Sequence, residues 1–269
     1  AGTAVYQTWR PYSRQHHHQR IRGTGLNKPI CSISPLHTHG LLNKYCLLPW
    51  AGRSLRFWLS QSLFSSDNID TGTRALLDVI TNHFLELPVQ RVLDLGCGTG
   101  VIGVALACLW PQSKVIMSDR DALAVAVSNL NAYSNGVTNA TSIGCLGIPH
   151  GHESFDLIAA NLPAKVGEPV LRMLVRQATA AAPFGYLALV VIRARQDQVE
   201  NELQGRAHIL HRRELQSHIV LLAKTALVKP ENNHPSSYEI NEYLRGETEF
   251  CYGGQSLKLQ TVWGLPDFN

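Results

Sequence analysis

Short apolar runs alternate with apolar positions at helical spacing through the middle of this chain. Residues 91–95 form a run typical of a buried central strand, and an apolar helix follows directly from Val101. Further strands are predicted at residues 114–118, 140–145, 155–160 and 185–192. The helices predicted between them cover residues 122–134, 169–182 and 196–203. Alternating strands and helices predict a mostly parallel sheet with helices on both faces.

The pattern changes towards both ends of the chain. Two predicted strands, 207–215 and 218–226, follow each other directly and are compatible with an antiparallel sheet end. Gly253 and Gly254 lie between two more strand-like runs and predict a β-hairpin. In the first 60 residues, residues 47–50 and 55–59 resemble pieces of strand or turn. The regular α/β pattern therefore occupies the centre of the chain.

Three segments follow from these changes. We expect a basic N-terminal segment over residues 1–62, a central domain over residues 63–228 and an extension over residues 229–269. The extension is rich in aromatic residues, namely Tyr238, Tyr243, Phe250, Tyr252 and Trp263. These side chains either cover an edge of the core or supply a stacking surface for a ligand.

Charge is distributed unevenly along the chain. The net charge is +4, but the first 66 residues contain eight lysines and arginines, five histidines and none of the twenty acidic residues. Such asymmetry favours an arm that binds a polyanion, with RNA as the expected partner. An organellar transit peptide has a similar composition and is the alternative.

The overall composition is that of a globular protein. Hydrophobic residues make up 45% and charged residues 16%, and no apolar run approaches the roughly 20 residues that span a bilayer. The six cysteines form no CxxC pair, which favours free thiols in a reducing compartment. Cys31, His37, His39 and Cys46 match no standard zinc spacing, so no metal is expected. A soluble, cytoplasmic protein without a membrane partner is the simplest interpretation.

The turn after the first central strand carries the clearest chemical signal. Gly96, Gly98 and Gly100 permit backbone conformations closed to other residues and let a ligand approach the backbone. With Gly103 they also match the G-x-G-x-x-G pattern of dinucleotide enzymes, which leaves an NAD-dependent dehydrogenase as a remote alternative. Asp94 would repel a diphosphate, whereas it can hold the ammonium group of an amino-acid-bearing ligand. The segment from Asp94 to Gly100 resembles the cofactor motif of class I S-adenosylmethionine (SAM) dependent methyltransferases.

Two further strand ends extend this resemblance. Asp119 ends the second strand, where a carboxylate can accept both ribose hydroxyls of an adenosine, and Asp121 is placed to begin the next helix. Methyltransferases of this kind hold a polar residue after the third strand for the adenine amino group. Here that place is taken by Cys145 and Leu146. The resemblance therefore leaves adenine recognition to backbone groups and apolar packing.

The segment ahead of the first central strand narrows the family. It begins Phe64-Ser-Ser-Asp-Asn-Ile-Asp-Thr-Gly-Thr, and Thr71 or Thr73 can cap the helix that follows. It resembles the segment that precedes the glycine motif in the ribosomal RNA guanine-N2 methyltransferases and their "methyltransferase small domain" relatives, here called the lead-in. In that family the lead-in packs over the cofactor. The resemblance thus implies that Asp70, Gly72 and Thr73 lie near the methionine end of SAM.

The fourth predicted strand ends in Asn161-Leu162-Pro163-Ala164. This loop resembles the [Asp/Asn]-Pro-Pro-[Phe/Tyr] motif of enzymes that methylate exocyclic amines of bases. The Asn161 side-chain oxygen and the Leu162 carbonyl can accept N–H bonds from the target amine, while Pro163 fixes the turn. Ala164 stands where the motif has an aromatic residue to stack on a flipped base.

Taken together, the resemblance implies an α/β, Rossmann-like fold with a seven-stranded, mostly parallel sheet and an antiparallel last strand. The implied cofactor is SAM, held by Asp70, Gly72, Thr73, Asp94, Gly96, Cys97, Gly98, Gly100, Asp119, Cys145, Leu146 and Asn161. The implied catalytic residues are Asn161, Leu162 and Pro163. The expected reaction is methylation of an exocyclic base amine of RNA, such as guanine N2. A methyltransferase for small molecules or proteins, and a non-catalytic RNA-binding or assembly protein on this scaffold, are the alternatives.

Overall fold

The computed structural model describes residues 40–42, 44–63, 68–84, 89–226 and 243–263. These residues all belong to one compact unit. Most of the predicted basic arm and the first part of the C-terminal extension, including Tyr238, lie outside the described residues. So do Cys31, His37 and His39 of the zinc spacing considered above.

Within these ranges the chain forms eleven strands and five α-helices. The strands are β1 (Lys44–Trp50), β2 (Arg53–Leu59), β3 (Arg91–Leu95), β4 (Lys114–Asp119), β5 (Ala140–Gly144), β6 (Leu157–Asn161), β7 (Tyr186–Ile192), β8 (Ala207–Glu214), β9 (His218–Thr225), β10 (Leu244–Tyr252) and β11 (Gln255–Val262). The helices are α1 (Thr71–His83), α2 (Val101–Leu109), α3 (Ala122–Ser134), α4 (Glu168–Ala181) and α5 (Gln196–Leu203). None of the described helices is long and apolar enough to cross a membrane.

Seven of the strands form one sheet in the order β5-β4-β3-β6-β7-β9-β8. Neighbouring strands from β5 to β7 pair in parallel, whereas β9 is antiparallel to both β7 and β8. The predicted sheet is therefore confirmed. Chain order runs outward from β3 to β5 on one side and from β6 on the other, so the topological switch point lies between β3 and β6. Ligands of open α/β sheets bind beyond the carboxyl ends of the strands at such a point.

The central strands are buried on both faces of the sheet, and successive side chains alternate between two apolar clusters. The first cluster is formed mainly by β1, β2, α1 and α2 with one face of the sheet, and includes Phe57, Leu76, Ile80, Val92, Leu106 and Leu157. The second is formed mainly by α4 and α5 with the other face, and includes Leu93, Ile158, Val170, Leu187 and Val199. Helices thus cover both faces, as the alternating pattern predicts.

The β1–β2 hairpin packs against the helices of the first cluster. Phe57 is fully buried, and the Trp50 indole Nε1 donates to the Ala105 carbonyl of α2 at 2.9 Å. The side chains of Asn131 on α3 and of Asn135, which caps the end of α3, accept hydrogen bonds from the hairpin backbone, each at 2.8 Å. The described part of the N-terminal segment therefore contributes to the core.

The ends of the helices follow the sequence signals with one exception. Asp121 caps α3 by accepting the Leu123 N–H at 2.8 Å, as predicted. The prediction that Thr71 or Thr73 caps α1 is wrong, because Asp70 is the cap and its carboxylate accepts the Thr73 N–H at 3.1 Å. A carboxylate immediately before the first helical residue satisfies a backbone donor of the first turn.

The C-terminal extension forms the predicted β-hairpin. Strands β10 and β11 are antiparallel and are joined by Gly253 and Gly254. Both glycines have positive φ, 59° and 75°, as the preferred two-residue hairpin turn requires.

Candidate active site

The glycine turn between β3 and α2 leaves open space along its backbone. Gly96 and Gly98 have φ values of 70° and 53°, and a Cβ added at either would meet no atom within 4 Å. A Cβ at Gly100, with φ of 79°, would instead lie 2.7 Å from the Cβ of Ser128 on α3. Gly100 therefore serves packing, whereas Gly96 and Gly98 provide a surface that a ligand can approach closely.

Asp94 lies at the end of β3 and is completely buried. Its Oδ2 accepts the Gly103 N–H at 2.8 Å, while its Oδ1 has no hydrogen-bond partner among the described residues. Burial raises the pKa of Asp94 to about 7; the Gly103 N–H opposes this rise and the charge of Asp119 adds to it. A buried, unpaired carboxylate oxygen is suited to receive a positively charged donor.

Asp119 connects the end of β4 to the glycine turn. Its Oδ2 accepts the Gly98 N–H and its Oδ1 accepts the Asp121 N–H, each at 2.9 Å. These bonds fix the orientation of the carboxylate. Because each carboxylate oxygen can accept more than one hydrogen bond, both remain able to accept ribose hydroxyls.

The side chain of Cys97 packs inside the turn. Its Sγ lies 3.6 Å from the Ser128 Oγ, and burial, with the charges of Asp94 and Asp119, raises the pKa of its thiol. A protonated, buried thiol is a packing group rather than a nucleophile.

The end of β5 adjoins the end of β4. The Cys145 N–H donates to the Asp119 carbonyl at 2.9 Å, and the Cys145 Sγ lies 3.5 Å from the Gly147 carbonyl. Leu146 is half-buried against the second cluster. These side chains give this end of the sheet an apolar character, and their contact with an adenine stays a prediction.

Asn161 ends β6 and is held by the N-terminus of α1. Its Nδ2 donates to the Asp70 Oδ2 and the Thr73 Oγ1, both at 3.1 Å. Because a carboxylate only accepts hydrogen bonds, the amide nitrogen must face Asp70. No described residue donates to the Asn161 Oδ1, which is thus left as an acceptor. The next residue, Leu162, donates its N–H to the Val190 carbonyl at 3.0 Å and fixes the turn to β7.

Gly72 allows α1 to approach the sheet this closely. A Cβ at position 72 would lie 2.5 Å from the Val190 Cγ1 and 2.8 Å from the Asp70 Oδ2. Asp70, Gly72 and Thr73 are thus shown to position Asn161, a role that the sequence alone did not indicate, while residues 64–67 of the same segment lie outside the described residues. Their proximity to the methionine end of a cofactor stays a prediction. The sequence feature that could have indicated this positioning of Asn161 is the spacing of Asp70, Gly72 and Thr73 at the start of the helix.

The exposed loop after Leu162 receives a contact from the C-terminal extension. Pro163 and Ala164 are exposed, whereas a Cβ at the nearby Gly167 would lie 2.4 Å from the Trp263 indole. The backbone N–H of Trp263 donates to the Tyr243 carbonyl at 2.6 Å, which closes the hairpin at its base. The sequence is compatible with either use of the aromatic residues, core cover or stacking surface, and does not indicate that Trp263 lies beside this loop.

Comparison with known proteins agrees with this geometry. The profile of the methyltransferase small domain family matches residues 54–213, more than half of the chain. The chain belongs to the methyltransferase small domain family. All of the predicted site residues of this methyltransferase small domain fall within the matched segment, whereas β10 and β11 lie outside it.

Two curated relatives carry the name ribosomal RNA small subunit methyltransferase C. The protein of Pseudomonas entomophila (strain L48) is 40% identical over 105 residues, which cover 39% of this chain and 30% of the relative. The protein of Pseudomonas aeruginosa (strain LESB58) is 34% identical over 157 residues, covering 56% and 46%. The chain thus spans less than half the length of these two relatives.

Solved structures show the same fold. A 16S rRNA N2 methyltransferase from T. thermophilus, in complex with AdoMet and guanosine, matches with a TM-score of 0.58 and 22% identity over 68% of this chain and 51% of that one. A ribosomal protein L11 methylase from Lactobacillus delbrueckii subsp. bulgaricus matches with a TM-score of 0.54 and 20% identity, covering 62% and 84%. The methyltransferase small domain therefore has the Rossmann-like methyltransferase fold.

Proposed function

We propose that this chain binds SAM and methylates an exocyclic amine of an RNA base, guanine N2 in ribosomal RNA. The orientation of Asn161 carries the proposal. Asp70 and Thr73 bind its amide nitrogen, so its oxygen is available to accept an N–H from the target amine. The names of the Pseudomonas relatives and the guanosine in the T. thermophilus structure support the choice of acceptor.

The glycine turn and its carboxylates fit SAM. Gly96 and Gly98 leave room along the backbone, the unpaired Asp94 Oδ1 suits the ammonium group, and Asp119 suits the ribose hydroxyls. A diphosphate would meet two carboxylates here, which disfavours a dinucleotide. SAM would supply a methyl group on a sulfonium, an activated donor that requires no strong base from the protein.

The chain's contribution to the reaction is then mainly orientation. The Asn161 Oδ1 and the Leu162 carbonyl accept the two N–H groups of the target amine and direct its lone pair out of the plane of those bonds. Asp70 and Thr73 prevent rotation of the amide, which would present donors instead of an acceptor. The bond from the Leu162 N–H to the Val190 carbonyl keeps the adjacent backbone in register with β7.

Methyl transfer from isotopically labelled SAM to separate pools of RNA, protein and metabolites tests this function. We expect label in RNA at guanine N2, and a loss of about 100-fold in rate for Asn161→Ala. Asn201→Ala, on the exposed side of α5, is the matched control and should leave the rate unchanged.

Each alternative gives a different result in the same assay. Label found only in the metabolite pool or only in the protein pool would show that the acceptor is a small molecule or a protein rather than RNA. SAM binding undetectable by calorimetry, in a chain that folds, would favour a non-catalytic RNA-binding or assembly protein.

A further inference from the structure

The β1–β2 hairpin has one face in the core and one exposed face. Tyr45 lies opposite Trp58 and Leu47 lies opposite Arg56, and we use "outer face" for these four residues. Residues between them point the other way, and Phe57 among them is fully buried in the first cluster. Tyr45 is 49% exposed and Leu47 is 51% exposed, whereas Trp58 is half-buried. The outer face therefore presents an aromatic and apolar surface to solvent.

The side chains of the outer face are held in place by contacts within the chain. The rings of Tyr45 and Trp58 meet edge to face, with centroids 5.5 Å apart and an interplanar angle of 70°. The Arg56 guanidinium lies 4.7 Å from the centroid of the Tyr45 ring, a cation–π contact. The backbone of Arg56 is fixed as well, because its N–H and carbonyl bond the side chain of Asn135 at 2.8 and 2.7 Å. A planar cation thus already lies over an exposed ring, which lowers the ordering cost of binding a further flat group.

The charge of the hairpin indicates what kind of partner fits the outer face. Residues 44–59 include the basic Lys44, Arg53 and Arg56 and no acidic residue. The β10–β11 hairpin also exposes apolar side chains, but it carries acidic residues as well as basic ones. The partner of the outer face should therefore combine negative charge with flat apolar groups. Single-stranded RNA does so, since its unpaired bases stack on aromatic rings and guanidinium planes beside a chain of phosphates.

The aromatic pair lies at the end of the hairpin that adjoins the glycine turn. The Asn131 Nδ2 donates to the Trp58 carbonyl at 3.1 Å and to the Thr99 carbonyl at 2.8 Å, so one side chain joins β2 to that turn. The opposite end of the hairpin lies beside the end of α3, where Arg53 donates to the Asn135 carbonyl at 3.0 Å. RNA held by the aromatic pair would therefore lie on the side of the hairpin nearest the proposed SAM site.

We propose that the outer face binds a single-stranded segment of the substrate RNA, with an unpaired base stacked on the Arg56 guanidinium and the Tyr45 ring. Duplex RNA keeps its bases stacked inside the helix and cannot make this contact. Stacking releases no counterions, so this part of the affinity persists at high salt, unlike contacts to phosphate. The inference rests on the proposed action on RNA and adds where, and in which form, the RNA binds.

Fluorescence anisotropy with the full chain and a labelled, mixed-sequence RNA of about 12 nucleotides tests the contact. Tyr45→Leu keeps an apolar side chain without the ring and should weaken binding of the single strand by about tenfold. The slope of log K against log salt, and the affinity for a duplex of the same length, should not change. Tyr45→Phe keeps the ring and should bind within about twofold of the original chain.

Tyr133→Leu is the matched control. Tyr133 is 67% exposed on α3 and lies about 200° round that helix from Asn131, which faces the hairpin. Its substitution should leave RNA binding unchanged. Because Tyr45 and Tyr133 are both exposed, the variants should keep the melting temperature of the original chain.

Two substitutions of Arg56 separate its planar shape from its charge. Arg56→Lys keeps the charge but loses the plane, so it should weaken single-strand binding by about fivefold at an unchanged salt slope. Arg56→Gln should also reduce that slope by about 0.7, the value for one lost phosphate contact to a single strand. Arg56→Lys that binds as the original chain does would overturn stacking on the guanidinium.

The outcomes for Tyr45 decide the inference as a whole. Full single-strand affinity in Tyr45→Leu would overturn it and leave the outer face to a protein partner. An equal loss in Tyr45→Phe and Tyr45→Leu would also overturn it, because the ring would then not be the group that binds. A chain that shows the expected Tyr45 effects, yet transfers no label from SAM to RNA, would overturn the proposed function and leave the RNA contact in place.

Discussion

The Asn161 side chain donates a hydrogen bond to the Asp70 carboxylate at 3.1 Å, across a sequence separation of 91 residues. The same carboxylate caps α1 through the Thr73 N–H. One acidic side chain thus ends a loop, begins a helix and orients the amide at the end of β6. Asp70 is therefore a positioning residue for the proposed reaction, because its effect on the acceptor amine passes through Asn161.

Asp70→Asn separates the cap from the orientation of Asn161. An asparagine at position 70 can still cap the helix. Its side-chain amide can both donate and accept, however, so it no longer forces the amide nitrogen of Asn161 to point towards it. We expect kcat for RNA methylation to fall by about tenfold or more, with little change in melting temperature. Asp70→Ala should add a loss of about 0.5–2 kcal/mol in the free energy of unfolding.

Asp78→Asn is the matched control for this test. Asp78 is an exposed acid on the same helix and pairs with Arg213 at 3.2 Å, away from Asn161. Its substitution should leave both kcat and melting temperature unchanged, since exposed ion pairs contribute little. Full activity of Asp70→Asn would contradict the positioning role.

Gly72→Ala should disrupt the approach of α1 to the sheet. The added Cβ would lie 2.5 Å from the Val190 Cγ1 and 2.8 Å from the Asp70 Oδ2. Overpacking of this kind costs about 1–3 kcal/mol, and the displaced Asp70 should lower methylation as well. Thermal unfolding and initial rates measure the two effects.

Gly144→Ala provides the comparison, since its Cβ would meet only the Val125 Cγ2, at 4.0 Å. It should be tolerated. Adding Val190→Ala to Gly72→Ala should restore part of the lost stability, because it removes the nearest clash. If Gly72→Ala is as stable and active as the original chain, the close approach of α1 is not needed.

The sequence predicts the sheet well because each central strand ends at a recognisable polar or glycine residue. Asp121 is the nearest cap before its helix, so that assignment is correct. Thr71 and Thr73 are good caps as well, and local spacing alone does not select Asp70 over them. The selection is made by Gly72 packing on Val190 and by Asn161, which are distant in the sequence.

The position of Tyr243 lay beyond sequence reasoning for a related physical reason. Tyr243 is buried in the second cluster with residues of β3, β6, β7 and α4, which are distant in the sequence, and the hairpin matches no part of the family profile. An aromatic-rich hairpin indicates burial somewhere but not against which strand ends. The contact between Trp263 and Gly167 decides where it docks.

The buried carboxyl of Asp94 predicts a pH dependence for SAM binding. Its pKa is raised to about 7 by burial, and the ammonium group of SAM favours its charged form. Binding should therefore release a proton and tighten as pH rises from 6 to 8. Calorimetry in buffers of different ionisation enthalpy measures that proton. The dependence should be lost in Asp94→Asn, which should also bind SAM weakly.

The same group makes a prediction about stability without ligand. Between pH 4 and 7 the folded chain holds a proton on Asp94 that the unfolded chain has released, since the pKa falls from about 7 to 3.8 on unfolding. The contribution of Asp94 to the free energy of unfolding therefore falls as pH rises through that window. Asp94→Asn should raise the free energy of unfolding at pH 8 by about 1–3 kcal/mol. A destabilised Asp94→Asn at pH 8 would contradict a raised pKa.

The acid-free N-terminal segment predicts a salt-dependent contribution to RNA binding. We expect the affinity of the full chain for RNA to fall steeply between 50 and 200 mM salt, because bound phosphates release counterions. The double substitution Arg20→Gln and Arg22→Gln should weaken binding to all RNA sequences and reduce the slope of log K against log salt by about 0.7–0.9 for each lost contact. Arg172→Gln with Arg176→Gln, on α4, is the control of equal charge. The N-terminal segment would have no role in RNA binding if binding were insensitive to salt. The same would follow if the two double substitutions weakened binding equally.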